Sequence, residues 1–238
     1  MRGGLLLRPL DLELPGAVRL DATLGVADGK VTMRSFDLGS APALVKGEGS
    51  YVLASKVGAL KATVTLPDFA VFSALAERPI AGRGTWDVTA TSDAEGVSLS
   101  WEGAANNIGV AGLPANLSKM KIELSGAASW HFDQSWTLSD VRVSADGAAL
   151  TIAGRGQAQA ADLDLSLDLP RLGLLQPDLA GSTKLAATIH QSEAGTDLSV
   201  TGEASDLRQG PLTSRRLSMS TSLSRDPTGV IQGTLATN

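Results

Sequence analysis

The sequence predicts an all-β protein: a long, curved, mostly antiparallel sheet built from repeats of about 100 residues, with a β-sandwich as the alternative. Apolar and polar residues alternate along most of the chain, most clearly over residues 163–169. Turn-forming pairs such as Asp28-Gly29 and Asp146-Gly147 separate these segments at short intervals. Part of the pattern then recurs 99 positions further along the chain.

Alternation with period two places apolar side chains on one face of a strand and polar side chains on the other. The short turns predict antiparallel hairpins, and the pattern accommodates about fifteen strands of roughly 7–10 residues, longer than the usual mode of about 5–6. In chain order, the segments with the cleanest alternation contain Leu60, Ala62, Val64 and Leu66; Val97, Leu99 and Trp101; Met120, Ile122 and Leu124; Leu163, Leu165 and Leu167; Leu185, Ala187 and Ile189; and Leu217 and Met219.

A short helical segment is expected to interrupt the strands at 68–77. Aromatic and aliphatic residues recur there at helical spacing, Asp68 is a suitable N-cap, and Pro79 follows the segment. The corresponding stretch of the second copy, 169–177, contains Gly173 and is expected to form at most one helical turn. Each repeat therefore carries a small apolar plug between strands.

The two copies of the repeat share their strand alternation and turn glycines, but not their functional side chains. Gly82 matches Gly181 and Gly103 matches Gly202, each at a distance of 99 positions, whereas the tryptophans, histidines and charges do not recur. Repeated strands and turns without repeated polar groups indicate a repeated surface. We expect three segments: a partial β repeat over 1–66, a β repeat over 67–168 that contains the helical segment 68–77, and a second, partial copy over 169–238.

Two arrangements can bury an apolar sheet face, and the pattern alone leaves both open. In a β-sandwich or a closed barrel, the apolar face packs on a second sheet, which is the commoner outcome. In a long, curved, open sheet, the apolar concave face stays available to a lipid or to a partner strand. About fifteen strands exceed the roughly ten that a twisted open sheet tolerates without curling, so some curling is expected in either case.

Composition excludes several classes of function. The net charge of −5 argues against nucleic-acid binding, and a chain without cysteine has neither disulfides nor thiolate metal sites. His131 and His190 lie outside any metal-ligand spacing, and the aspartates of 162–168 alternate with leucines as the solvated face of a strand. No G-x-S-x-G elbow is present. We expect no enzyme activity, no cofactor and no metal.

The ends of the chain are expected to lie inside a longer protein, because period-two alternation already begins near residue 10 and continues close to the end. The longest apolar runs fall far short of the roughly 20 residues that a membrane-spanning helix needs. Arg8 and Asp11 interrupt any hydrophobic core of a signal peptide.

The order of motifs resembles the TamB family, the inner-membrane subunits of the bacterial translocation and assembly module, within the AsmA-like superfamily. The resemblance lies in a Leu-Pro pair, a short apolar segment, an Ala-Gly pair and two alternating strands, found at 66–103 and again at 169–217. It implies a β-taco, a strongly bent sheet around a hydrophobic groove that spans the periplasm of a Gram-negative bacterium. It also implies an anchor in the inner membrane outside this chain, and a BamA-type (TamA-like) outer-membrane barrel as the partner of the full-length protein.

The resulting hypothesis is a non-enzymatic lipid conduit. Phospholipid acyl chains would move along an apolar groove between the inner and outer membranes, in support of outer-membrane protein assembly. The alternative is a structural or binding module of a secreted protein, such as an adhesin-like β-solenoid or a β-sandwich. The candidate groove residues are Leu60, Val64, Val97, Leu99, Trp101, Met120, Ile122, Leu124, Val141, Val143, Leu163, Leu165, Leu167, Leu185, Ile189, Leu198, Val200, Leu217 and Met219.

Overall fold

A computed structural model describes residues 6–7, 12–13, 19–40, 43–74, 77–110, 120–158, 160–176, 178–228 and 230–238. Within these ranges the protein is all-β, apart from two short 3-10 helices, which confirms the predicted fold class. The strands are β1 (Leu6–Leu7), β2 (Leu12–Glu13), β3 (Arg19–Ala27), β4 (Lys30–Ser40), β5 (Ala43–Val52), β6 (Val57–Leu66), β7 (Ile80–Ser92), β8 (Gly96–Val110), β9 (Ile122–His131), β10 (Ser135–Ala145), β11 (Ala148–Gln157), β12 (Ala160–Leu169), β13 (Leu179–Ser192), β14 (Gly195–Gln209), β15 (Leu212–Arg225) and β16 (Ile231–Thr237).

Strands β3 to β16 form one 14-stranded sheet in which the strands follow each other in chain order. The order is linear, so the sheet is not a closed barrel, and it is not divided into the two sheets of a sandwich. The chain divides into two compact units, Met1–Lys121 and Ile122–Asn238. The segment boundaries expected from the sequence, 1–66, 67–168 and 169–238, stay a prediction.

Tight turns join the strands where the sequence predicts them. Asp28 and Gly29 both have positive φ, 50° and 70°, and Asp146 and Gly147 repeat this at 49° and 86°. Two consecutive residues in this region make the type I′ turn, whose twist matches that of antiparallel hairpins. The predicted hairpins at these positions are therefore confirmed, and their registers follow from the turns.

The register of the first unit brings apolar residues onto one face. Each residue of one continuous row lies directly opposite the next on the neighbouring strand, so all side chains of the row share a face. The same register places polar residues such as Lys61, Asp87 and Glu102 on the opposite face. From β3 to β8 the row consists of Leu24, Met33, Gly49, Leu60, Ala90 and Leu99.

The second unit has the same construction over eight strands. Its polar face carries Asp168, Lys184 and Glu203 in neighbouring positions of β12, β13 and β14. From β9 to β16 the corresponding apolar row consists of Leu124, Val143, Leu150, Leu167, Leu185, Gly202, Met219 and Thr237. A one-residue slip would turn the whole row to the polar side, so this pattern fixes the register.

Glycines in the apolar face make room for large neighbours. A Cβ on Gly103 would lie 2.5 Å from Cδ1 of Trp86, and a Cβ on Gly84 would collide with the same indole ring. In the second unit, a Cβ on Gly156 would lie 2.6 Å from two ring atoms of Trp136. Both rings thus lie against the backbone of glycines, which explains part of the high glycine content as packing and not only as turns.

The repeat is reproduced in the backbone. Strand β8 begins 99 positions before β14 and ends 99 positions before it. The pairing register shifts at Gly82 between β7 and β8, and at Gly181 between β13 and β14. These glycines have φ values of 139° and 118°. On the facing strands, Asn107 and Asp206 have left-handed φ values of 55° and 53°. The same bulge therefore recurs in both copies.

The predicted helical segment 68–77 is shorter than expected. A 3-10 helix covers only Phe69–Phe72, here called the first plug, and its N-cap is Asp68 as predicted, which accepts a hydrogen bond from the amide of Ala70 at 2.9 Å. Residues 73 and 74 form a turn, and residues 75 and 76 lie outside the described ranges. The second plug, Leu172–Leu174, is a single 3-10 turn, as expected. Short 3-10 pieces suit such connectors because their hydrogen-bond geometry is poor in longer runs.

Candidate functional site

The apolar face of the sheet lacks a covering layer. Among the described residues, only Ala62, Ala105, Leu169 and Leu172 are buried apolar side chains. On β3, by contrast, Leu24 is 64% exposed and Val26 is 73% exposed. Contiguous exposed apolar surface is rare on soluble monomers and marks a site of interaction with a ligand, a partner or a membrane. The candidate functional site is therefore this face.

A cavity of about 360 Å³ lies on the apolar face of the first unit. This volume is near the lower end of the range for small-molecule sites, about 300–1,000 Å³. Its walls are large side chains from five different strands, while its floor consists of small residues such as Gly49, Gly58, Ala90 and Ser92. The wall residues are Leu24, Val31, Met33, Tyr51, Leu60 and Val97.

The cavity shows that the sheet of the first unit curls. Leu24 belongs to β3 and Val97 to β8, and both line the same cavity although they are five strands apart. Neighbouring strands are about 4.8 Å apart, so in a flat sheet these side chains would be separated by about 24 Å. Because the sheet bends toward its apolar face, the two side chains come close enough to line the same cavity. The predicted concave apolar surface is thus present in this unit.

The chemistry of the cavity is hydrocarbon-like. None of its lining residues is ionisable at neutral pH, and the polar groups around it are hydroxyls and backbone. Such a surface offers burial to any apolar chain and no fixed charge to orient a polar substrate. It therefore fits an aliphatic ligand and not a charged metabolite.

The opposite face carries charged side chains that pair between strands. In the second unit, Asp162 lies between Arg155, with Nε 3.3 Å from Oδ2, and His190, with Nδ1 2.6 Å from Oδ1. The hydrogen bond with His190 and then that with Arg155 lower the pKa of the Asp162 carboxyl. Lys184 and Asp168 make a similar pair at 3.4 Å. These exposed pairs contribute little to stability and keep this face hydrated.

The first plug folds over the apolar face of its unit. The ring of Phe69 stacks on the indole of Trp86, with centroids 6.0 Å apart and planes at 26°, and Phe72 meets Phe69 edge-on at 6.5 Å. In the second unit, Arg171 next to the second plug contacts Asp146, with Nη2 2.6 Å from Oδ2. The first plug is thus held by an aromatic stack, whereas the second plug is held chiefly by the buried side chain of Leu172.

Apart from Met120, the candidate residues named from the sequence lie on the apolar faces of the two units. Leu60, Val97 and Leu99 share the face of the cavity, and Leu60 and Val97 line it. Leu163, Leu165 and Leu167 of β12, with their partners on β13, share the face of the second unit's row. Met120 lies just before β9 and outside any strand. Contact with lipid at these positions stays a prediction.

Sequence reasoning missed the cavity walls from β3 to β5. Leu24, Val31, Met33 and Tyr51 alternate as the recognised segments do, but β-bulges shift the phase of the pattern in this region. In β4, a bulge between Met33 and Phe36 places two residues, Arg34 and Ser35, opposite the single residue Glu48 of β5.

Two further observations bear on the class of protein. The described ranges contain no group of three or more side chains that could hold a metal ion. They also contain no helix long and apolar enough to cross a membrane. The repeated strands and the exposed face define a β-sheet protein whose candidate interaction site is an apolar surface.

The family assignment agrees with this class. The family described as TamB, N-terminal domain, matches residues 62–238, and the chain therefore belongs to the TamB family. The TamB family is associated with lipid transport and outer-membrane assembly, and with TamA as a partner. Its members span the periplasm and are anchored in the inner membrane. The family is not known for enzymatic activity. No curated protein and no solved structure matches the chain.

Proposed function

We propose that this segment carries phospholipid acyl chains on its apolar face, as part of a periplasmic conduit between the inner and outer membranes. The observation that carries the proposal is the uncharged cavity in the first unit, which continues into an exposed apolar face. Membership of the TamB family also supports a lipid as the ligand. The full-length protein would work beside a BamA-type, TamA-like barrel and so support outer-membrane protein assembly.

The energetics of apolar burial suit transport. Each buried methylene contributes roughly 0.8 kcal/mol, so a sixteen-carbon chain would gain on the order of 10 kcal/mol if it were buried completely. On an open face only part of the chain is covered, and the gain is correspondingly smaller. Because the attraction is non-directional, a chain can slide from one strand to the next without breaking any specific contact. Both units present rows of mostly apolar residues across their strands.

The two-faced sheet suits an aqueous compartment. Charged and hydroxyl side chains cover the polar face, while cysteine is absent from the chain, so neither face depends on the redox state of its surroundings. This composition is compatible with the bacterial periplasm. The headgroup of a bound phospholipid would remain in water at the edge of the sheet while its acyl chains lie on the apolar face.

An adhesin-like β-solenoid is the weaker candidate. In a solenoid, successive short rungs stack and their strands pair in parallel, whereas here consecutive strands pair antiparallel as hairpins. A solenoid interior is also filled by its own side chains. The exposed leucines of this chain favour the lipid-binding function instead.

Photocrosslinking from adjacent residues tests the proposal. A benzophenone side chain at Leu165 lies on the apolar face and is expected to capture phospholipid in cells, whereas the same probe at Asp164 points to the polar face and is expected to capture none. Lipid is detected by mass spectrometry of the crosslinked protein. The pair Ile122 and Lys121 provides a second comparison. Equal capture from both faces would contradict the proposed function.

A further inference from the structure

The first plug is a segment of this chain that already occupies the apolar face. The ring of Phe69 stacks on Trp86, and a Cβ on Gly82 would lie 2.9 Å from Cδ2 of Phe69. Nε1 of Trp86 is buried and has no hydrogen-bond partner among the described residues. The plug therefore shields the indole from water and fills the space that an acyl chain would otherwise take.

The plug and the cavity lie at opposite ends of the same strands. On β7, Trp86 is under the plug, whereas Ala90 and Ser92 line the cavity. Ala90 is four positions further along the strand than Trp86, which corresponds to about 13 Å. The plug thus closes the strand end from which β7 begins, and the cavity opens beside the hairpin that joins β7 to β8.

The exposure of apolar side chains on β8 falls from the hairpin toward the plug. Val97 and Leu99, near the hairpin, are 41% and 38% exposed, whereas Ala105, directly opposite Gly84 at the plug end, is 6% exposed. All three residues are on the apolar face. The available part of this face therefore ends before the plug.

We propose that the Phe69–Trp86 stack is a fixed boundary that confines bound acyl chains to the hairpin side of the first unit. This inference rests on the proposed lipid-carrying function and adds where on the first unit the acyl chain lies. Phe69 is a positioning residue: it excludes the acyl chain from one end of the strands and thereby keeps the acyl chain over the cavity. The acyl chain accordingly crosses β3 to β8 along the row through Leu60 and Ala90.

Quenching by brominated acyl chains tests the boundary with single-tryptophan proteins. In the first protein, Trp86 is kept and Trp101, Trp130 and Trp136 are replaced by phenylalanine. In the second, Leu99→Trp supplies the reporter, and all four native tryptophans are replaced by phenylalanine. Both 238-residue proteins are loaded with phosphatidylethanolamine that carries brominated acyl chains, which quench an indole on close approach.

We expect the reporter at position 99 to be quenched at least about tenfold more strongly than Trp86, because Trp86 lies under the plug and about 13 Å along the strand from the cavity-lining Ala90. Phe69→Ala is expected to raise quenching of Trp86 toward that of the position-99 reporter. The matched control, Phe132→Ala, removes an exposed phenylalanine of the second unit and should leave Trp86 unquenched. Circular dichroism checks that each variant keeps its strands.

The possible failures are distinguishable. Equal quenching of both reporters while Phe69 is present would overturn the boundary and leave the lipid-carrying function intact. This comparison needs no change at Phe69, so it decides the inference even if Phe69→Ala fails to fold. An equal effect of Phe132→Ala and Phe69→Ala would overturn the role of the plug. Quenching of neither reporter would contradict the proposed function, and the boundary with it.

Discussion

Ala90→Trp is expected to displace phospholipid from the first unit. Ala90 is part of the floor of the cavity and lies directly opposite Leu60 and Leu99. An indole at this position would fill much of a cavity of about 360 Å³ without adding charge. We expect capture of lipid by a benzophenone at Leu99 to fall by about tenfold or more, equivalent to at least about 1.4 kcal/mol of lost affinity.

The matched control is Thr89→Trp, one residue away on the polar face. Thr89 lies opposite Lys61 and Ser100, so an indole there projects away from the cavity. Lipid capture at Leu99 should stay within about twofold of the unmodified protein, a difference below about 0.5 kcal/mol. If both substitutions reduce capture equally, the cavity is not where the acyl chain binds.

Gly103→Ala is expected to destabilise the first unit by about 1–3 kcal/mol, the usual cost of overpacking. The added Cβ would collide with the carbonyl oxygen of Thr85 and would lie 2.5 Å from Cδ1 of Trp86. Either the two strands separate locally or the indole leaves its position under Phe69. Urea unfolding of the protein in which Trp86 is the single tryptophan, followed by fluorescence, measures the change in the free energy of unfolding.

Gly109→Ala is the control for this substitution. Gly109 is on the same strand as Gly103. A Cβ added at Gly109 would have the Cβ of Ala81 as its nearest neighbour, at 3.6 Å, which is an ordinary van der Waals contact. Because alanine also restricts the unfolded chain, this variant should be neutral or more stable by about 0.4–1 kcal/mol. A similar loss of stability in both variants would show that the close packing of Trp86 on Gly103 is not the cause.

Much of the fold could be predicted because its determinants are local. Alternation fixes which side chains share a face, and Asp28-Gly29 or Asp146-Gly147 fix the hairpin registers through their positive φ values. The choice between a sandwich and an open sheet depends on what packs against the apolar face. No local pattern carries that information, so alternation alone favoured the commoner sandwich, and the family resemblance favoured the open sheet.

The site was predictable only where the strands are regular. Leu163, Leu165 and Leu167 alternate without interruption, and their shared face follows from the sequence. In β4 the bulge between Met33 and Phe36 changes the phase, and the walls of the cavity in that region were missed. The plug was overestimated in length because helical spacing of apolar residues also fits a single 3-10 turn.

Native mass spectrometry of the purified 238-residue chain tests the central claim most directly. If the apolar face carries acyl chains, the protein from bacterial cells should retain phospholipid that is lost on unfolding and is reduced in the Ala90→Trp variant but not in Thr89→Trp. The apolar rows and the uncharged cavity predict adducts with masses of intact phospholipids. A folded protein that carries no phospholipid, and takes up none from added vesicles, would contradict this account.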